Sequence, residues 1–374
     1  MRRELLLCAV LLLTSLQACE PPRRVAATGV NPGVTSDNLA VVIADIQSAE
    51  ARAREGDASG IRSLPHNIDV LTRAIEGGTV EGDALLTLRH YRAFARQMLN
   101  RFNDLMDLPV DRPVAEAAVA DYLAIAEAAG DDPAKQKLKA HAIYGAGQVT
   151  ATQLGNEVQG YRYFRQCSDM KQAGCQNVVA YAMIYGHAGI EQDLNGALAL
   201  HKAVYDTGIT YTCAGSFSAR SIAYIVHFTD ARLDGRTGLD WLRRSMTLAD
   251  QVKSQANGVD LCAGESVRVD EYLMRLQAGE RQDSLISGYL EENEVLPPVV
   301  AQYLLGKIGD ATFTKELRKM DRPSARCAYA FIGAWKSSIE RKAASVRTYS
   351  SMLKELPDET SCASNIVFVE RFAR

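Results

Sequence analysis

The sequence predicts an all-α protein, a solenoid of antiparallel helix pairs joined by short turns. Apolar residues recur at helical spacing from Asp37 onward, and no segment sustains the two-residue alternation of a half-buried strand. A four-residue motif also returns after 41 positions, the kind of period that stacked helix pairs produce. At 374 residues the chain is long for one compact core and more natural for two domains or an elongated array.

The first element lies outside that array. Arg2 and Arg3 precede an apolar run from Leu5 to Leu13, too short for a bilayer, which takes about 20 apolar residues. Leu16-Gln17-Ala18-Cys19 resembles the lipobox cut by the lipoprotein signal peptidase. That resemblance implies removal of residues 1–18 and acylation of Cys19 as the first mature residue. In an ordinary secretory signal Cys19 would only lie beside the cut. Glu20 holds the sorting position in place of the Asp associated with inner-membrane retention, so the expected address is the periplasmic side of the outer membrane. Residues 19–36 form a tether. Positions 20–36 hold three prolines and two glycines, and as flexible coil they reach roughly 20–25 Å.

Net charge is −3, or −4 once Arg2, Arg3 and Glu4 leave with the signal. That mild acidity excludes the clustered basic charge of a nucleic-acid binder, and no Lys/Arg run marks a second membrane-surface site.

An N-terminal helical region is expected over 37–130. Leu39, Val42, Ile43, Ile46 and Ala49 form one apolar stripe, with Ser36 or Asp37 as cap and Gly56 as stop. Leu64, Ile68, Leu71 and Ile75 form a second, ended by Gly77-Gly78, and a longer helix spans about Asp83 to Met106. A repeat region follows over 131–278. Asp132-Pro133 puts a cap before a first-turn proline, and Thr237-Gly-Leu-Asp240 matches a capping box. A C-terminal helical region covers 279–374. The whole chain reads as about fourteen to sixteen helices.

The returning motif is Ala142-Ile143-Tyr144-Gly145, matched by Met183-Ile184-Tyr185-Gly186 and followed by Gly189-Ile190, Asp193, Ala197, Lys202-Ala203 and Gly208. This order resembles the Sel-like repeat, a relative of the tetratricopeptide repeat. There a helix bearing Tyr leads through a Gly-x-Gly-Val turn to an Asp and a small Ala in the next helix. This chain departs by one deleted residue between Tyr185 and Gly189 and by Ile190 in place of Val, and the resemblance covers about residues 134 to 230. Glycine permits the positive φ of a tight turn, Asp193 caps the incoming helix, and Ala197 allows close helix approach.

Eight cysteines include Cys8, lost with the signal, and Cys19, consumed by lipid. The remaining six, Cys167, Cys175, Cys213, Cys262, Cys327 and Cys362, are an even count in an exported chain, which favours disulfides, and allow 15 pairings. Cysteine-rich Sel-like proteins bridge the two helices of a repeat through cysteines eight apart. That resemblance implies Cys167–Cys175 across a turn containing Gly174. A second similarity joins Cys213-Ala-Gly-Ser216 to Cys262-Ala-Gly-Glu265 and pairs Cys213 with Cys262 at the starts of neighbouring repeats, which leaves Cys327 with Cys362.

Signatures of catalysis are weak. No phosphate loop, His-Glu-x-x-His or Gly-x-Ser-x-Gly appears, and His66, His90, His141, His187, His201 and His227 form no ligand pair three or four apart. The cysteines are too dispersed for zinc, so no metal or cofactor is expected. Ser168-Asp-Met-Lys171 fits the Ser-x-x-Lys of penicillin-recognising enzymes. Yet the companion Lys-Thr-Gly is missing, and Ser36-Asp37-Asn38 precedes the serine where it should follow. Glu265-Ser266 resembles the Glu-Ser of lytic transglycosylases without that family's neighbouring Gly-Leu-Met-Gln, and Ser351-Met-Leu-Lys354 is a further isolated match. Tyr161, Tyr163, Tyr205 and Tyr211 are the candidate binding face. Core packing is the commoner fate of such residues, but the polar end of Tyr suits a binding surface.

The expected function is that of a lipid-anchored helical scaffold or assembly factor. It would bind other envelope proteins, touch the membrane through Cys19, and bind no nucleic acid. The alternatives are an envelope enzyme acting on peptidoglycan or β-lactams, marked by a deep acidic or serine-lined pocket, and a small-molecule module marked by an enclosed apolar cavity.

Overall fold

The computed structural model describes residues 36–54, 58–78, 80–106, 108–208, 213–229, 231–255, 262, 267–290, 296–356 and 360–372. The signal, Cys19 and the tether as far as residue 35 lie outside them, as does Gly56. Among the described residues there are seventeen α-helices and no strand. The chain divides between Val179 and Ala180 into two compact units, inside the stretch expected to carry the repeats.

In the first unit, α1 (Ser36–Arg54), α2 (Leu64–Glu76) and α3 (Gly82–Leu105) build a core from the stripes read in the sequence. Leu39, Val42, Ile46 and Ala49 are buried with Leu64 and Leu71 of α2 and with Leu88, Phe94 and Met98 of α3. Next, α4 (Arg112–Ala129) packs on α3, its first turn capped by Asp111, which accepts the Val114 N–H at 3.1 Å. Asp132 does cap, accepting from Ala134 N–H at 2.9 Å. The turn it starts, however, is the 3₁₀ stretch Pro133–Lys135 that leads into α5 (Gln136–Gln148). Glycine lets α5 sit close to its neighbours, since a Cβ on Gly145 would lie 2.6 Å from the Tyr122 ring and one on Gly147 2.8 Å from Phe164. At its end α5 widens into a π-helical turn, Val149–Gln153, before α6 (Glu157–Asp169).

Cys167 near the end of α6 is bonded to Cys175 in the first turn of α7 (Ala173–Tyr185), with Cα atoms 5.8 Å apart. The glycine expected in the turn, Gly174, does not lie in it. Gly174 lies inside α7 against the Tyr144 ring, and the left-handed position is Lys171, at φ 61°. The Lys171 N–H donates to Ser168 O at 2.8 Å and the Gln172 N–H to Cys167 O at 3.1 Å, the paired bonds of a Schellman cap that usually carries glycine. A left-handed residue with a Cβ costs about 1–2 kcal/mol, part of which glycine returns as unfolded-state entropy. Lys171→Gly is therefore expected to stabilise the protein by about 0.5–1 kcal/mol, read as a higher urea midpoint at unchanged slope. A lower midpoint would remove the strain argument.

The second unit takes the end of α7 from Ala180, then α8 (Leu194–Asp206), α9 (Ala214–Phe228), α10 (Gly238–Gln255) and α11 (Val267–Gln277). Three short helices follow: α12 (Ser284–Ser287), α13 (Pro298–Leu304) and α14 (Asp310–Arg318). They carry the total above the expected range. Last come α15 (Pro323–Ile339), α16 (Ala343–Lys354) and α17 (Thr360–Phe372). Consecutive helices pack on one another, α8 on α9, α9 on α10, and α15 on both α16 and α17. Large aromatic side chains fill the core, among them Trp241, Tyr272, Tyr303, Phe313, Trp335 and Tyr349, with the Tyr303 and Phe313 rings stacked at 4.0 Å.

Two turns in this unit share one construction. His187–Ile190 and Leu233–Arg236 each close an isolated bridge with an N–H to O=C bond, of 2.8 and 3.0 Å. Ala188 (φ 50°) and Gly189 (80°) are both left-handed, as are Asp234 (53°) and Gly235 (64°), the geometry of a type I′ turn. A capped helix follows each. Asp193 accepts the Gly196 N–H at 2.9 Å, while Thr237 and Asp240 form the reciprocal box, 3.0 and 3.2 Å. The 41-residue motif behaves differently. Gly145 continues its helix, whereas Gly186 ends one at φ 74°, so the two copies do unlike work.

Cys213, immediately before α9, is bonded to Cys262, with Cα atoms 5.2 Å apart, and Cys327 of α15 to Cys362 of α17, also 5.2 Å.

Candidate functional site

Asp240, Arg243, Arg244 and Thr247 recur at i, i+3, i+4 and i+7 along α10, so one face of that helix carries all four. Arg236 joins them from the Leu233–Arg236 turn. Together they line a surface depression of about 330 Å³. The guanidiniums of Arg236 and Arg244 lie 5.6 and 5.8 Å from the ring centre of the fully buried Trp241, which holds both in place. Arg236 also donates to Asp234 at 3.1 Å, and Arg244 to the Tyr205 hydroxyl at 3.1 Å, leaving the buried Arg244 Nε without a hydrogen-bond partner. Hydrogen bonds from the Thr237 hydroxyl and N–H hold the Asp240 carboxyl below its ordinary value, so it stays ionised. Three cations thus line one depression with the Asp240 carboxylate, and a second carboxylate, Asp234, pairs with Arg236 beside it. The arrangement can bind an anion, and it contains no acid–base pair poised for proton transfer.

The tyrosines selected from the sequence are distributed. In the first unit Tyr161 and Tyr163 are half-buried on α6, Tyr161 edge-on to Phe164 at 5.5 Å. In the second, Tyr205 of α8 packs edge-on against Trp241 at 5.0 Å and borders the arginine depression. Tyr211 lies outside the described residues.

Other polar clusters are internal. Asp121 of α4 receives both Arg92, through two bonds of 2.8 and 2.6 Å, and Arg96 at 2.6 Å, all from α3. Beside it, Tyr122 donates to Gln97 at 2.9 Å, Gln97 to Gln148 at 3.4 Å, and Gln148 to Tyr144 at 3.2 Å, a chain leading to the π turn. In the second unit Arg220 and the Tyr224 hydroxyl bind Asp270, at 2.9 and 2.7 Å, and Glu271 is tied to Arg275. Asp121 and Asp270 thus each join two helices, whereas Glu271 and Arg275 share α11.

Ser168 lies at the end of α6, and Lys171 occupies the left-handed cap beyond it, so the two do not share a helical face. Ser351 and Lys354 both lie exposed on α16, where Lys354 pairs with Glu370 at 3.2 Å. Glu265 lies outside the described residues. Among the described residues no cluster of three or more His, Cys, Asp or Glu is arranged for a metal, and no helix is long and apolar enough to cross a membrane.

Compared with protein-family models, curated proteins and solved structures, the chain matches none.

His201 of α8 is 2% exposed, and burial draws its imidazole down from 6.5 to about 3. Below pH 6.5 the unfolded chain takes up a proton there that the folded chain refuses, so stability falls with pH through that window. Relative to His201→Leu, the wild type is expected to lose about 2 kcal/mol between pH 7.5 and 5. Parallel pH–stability curves would show that His201 does not titrate this way.

Proposed function

We propose that the chain is a lipid-anchored, periplasm-facing scaffold of stacked helix pairs that binds other envelope proteins. The observation that carries this reading is the division of labour among charged groups. The buried Asp121, Asp270 and Glu271 are bound by arginines of their own unit, while Arg236, Arg243 and Arg244 converge on a surface depression. Preorganised surface cations over a buried aromatic anchor suit recognition of another chain. Support for an array comes from the two like turns at His187–Ile190 and Leu233–Arg236, each feeding a capped helix. Three disulfides suit an oxidising compartment, in keeping with the Cys19 signal.

The test joins anchoring to binding. Cys19→Ala is expected to abolish lipidation and leave the precursor uncleaved or the product soluble. Crosslinked envelopes carrying the wild type should yield the same co-purifying protein in repeated captures. Normal processing and membrane fractionation of Cys19→Ala would overturn the anchor, and captures no richer than a mock control would overturn the scaffold.

A further inference from the structure

We infer that the Arg236–Arg243–Arg244 depression on α10 is the docking site for a carboxylate-rich segment of a partner protein. The inference rests on the scaffold reading above and adds the chemistry of the partner. Guanidiniums match carboxylates as planar, two-pronged donors, and here two of the three are already held against Trp241. At about 330 Å³ the depression takes one or two side chains, which fits an extended segment laid along α10. The charge contrast is local, because the chain as a whole carries a net −3.

Two features favour a carboxylate over a phosphate. Many phosphate sites add free amide donors at a helix N-terminus to their cationic side chains. At α10 those near the depression are engaged, Asp240 N–H to the Thr237 hydroxyl at 3.2 Å and Thr237 N–H to the Asp240 carboxylate at 3.0 Å. The ionised Asp240 also lines the depression and opposes a dianion more strongly than a single negative charge.

The test uses the full mature chain and a fluorescein-labelled octapeptide of alternating Glu and Ala, with its Gln counterpart as control. Anisotropy should report binding of the Glu peptide that weakens as salt rises, and no comparable binding of the Gln peptide. Arg243 is exposed and outside the core, so Arg243→Glu should leave the thermal midpoint unchanged while weakening the Glu peptide about tenfold or more. A second variant, Arg236→Gln/Arg244→Gln, should weaken it independently. Equal affinity for both peptides, or an unchanged affinity in both variants, overturns the proposal. So does displacement of the Glu peptide by inorganic phosphate at lower concentration than by succinate. Binding to phosphatidylglycerol vesicles that Arg243→Glu abolishes, with no peptide binding, assigns the depression to membrane and overturns it too. Capture of the same envelope partner by wild type and Arg243→Glu would sink this site and leave the scaffold standing. Loss of capture in both would sink the scaffold itself.

Discussion

Asp121→Ala is expected to destabilise the first unit by about 3–5 kcal/mol, because it strands two buried guanidiniums at once. The Asp121 side chain is 7% exposed and those of Arg92 and Arg96 are 10% and 15%, so water does little to replace the lost carboxylate. The cost belongs to the orphaned charges and says little about the pair's own worth. Removing all three charged groups together, as Arg92→Leu/Arg96→Met/Asp121→Leu, should therefore recover most of the loss. Urea unfolding of the two variants separates the cases. A loss below about 1 kcal/mol in Asp121→Ala would mean that solvent reaches the cluster after all.

Loss of the Cys213–Cys262 bridge in Cys213→Ala/Cys262→Ala should cost about 4 kcal/mol, against about 2.5 kcal/mol for Cys167→Ala/Cys175→Ala. The difference is one of chain entropy: the first bridge closes a sequence separation of 49 and the second one of 8. Cys213 and Cys262 also form a small cluster with Ala249, Val252 and Phe217, separate from the main core of their unit. Equal losses in the two variants would show that unfolded-state entropy is not the governing factor. Free-thiol labelling of the unfolded variants verifies that only the intended bridge is gone.

What could be read from the sequence was local. The α1 stripe, the Asp193 cap and the Thr237–Asp240 box are set by residues within a turn or two of each other, and each stands in the structure as expected, except that Ile43 of the stripe is only half-buried. The Asp234-Gly235 turn carries its own local signal, since Asp-Gly favours type I′ geometry, whereas the Tyr-Gly motif marks two positions of unlike structure. Glycine commonly marks a turn, yet Gly174 serves a close contact with Tyr144 while Lys171 takes the strained position. The arginine depression was partly visible as a spacing along α10, but Arg236 enters it through a turn and Tyr205 from another helix. The Asp121 and Asp270 clusters join residues 25 to 50 positions apart, and no local pattern announces them.

The six described cysteines pair consecutively along the chain, first with second, third with fourth and fifth with sixth, and of the 15 possible pairings only one has that property. On the proposed export route the chain emerges N-terminus first, so Cys167 meets Cys175 before Cys213 arrives, and Cys213 meets Cys262 before Cys327. An oxidase that joins thiols in order of appearance therefore produces the native set, and maturation needs no isomerase to correct crossed bridges.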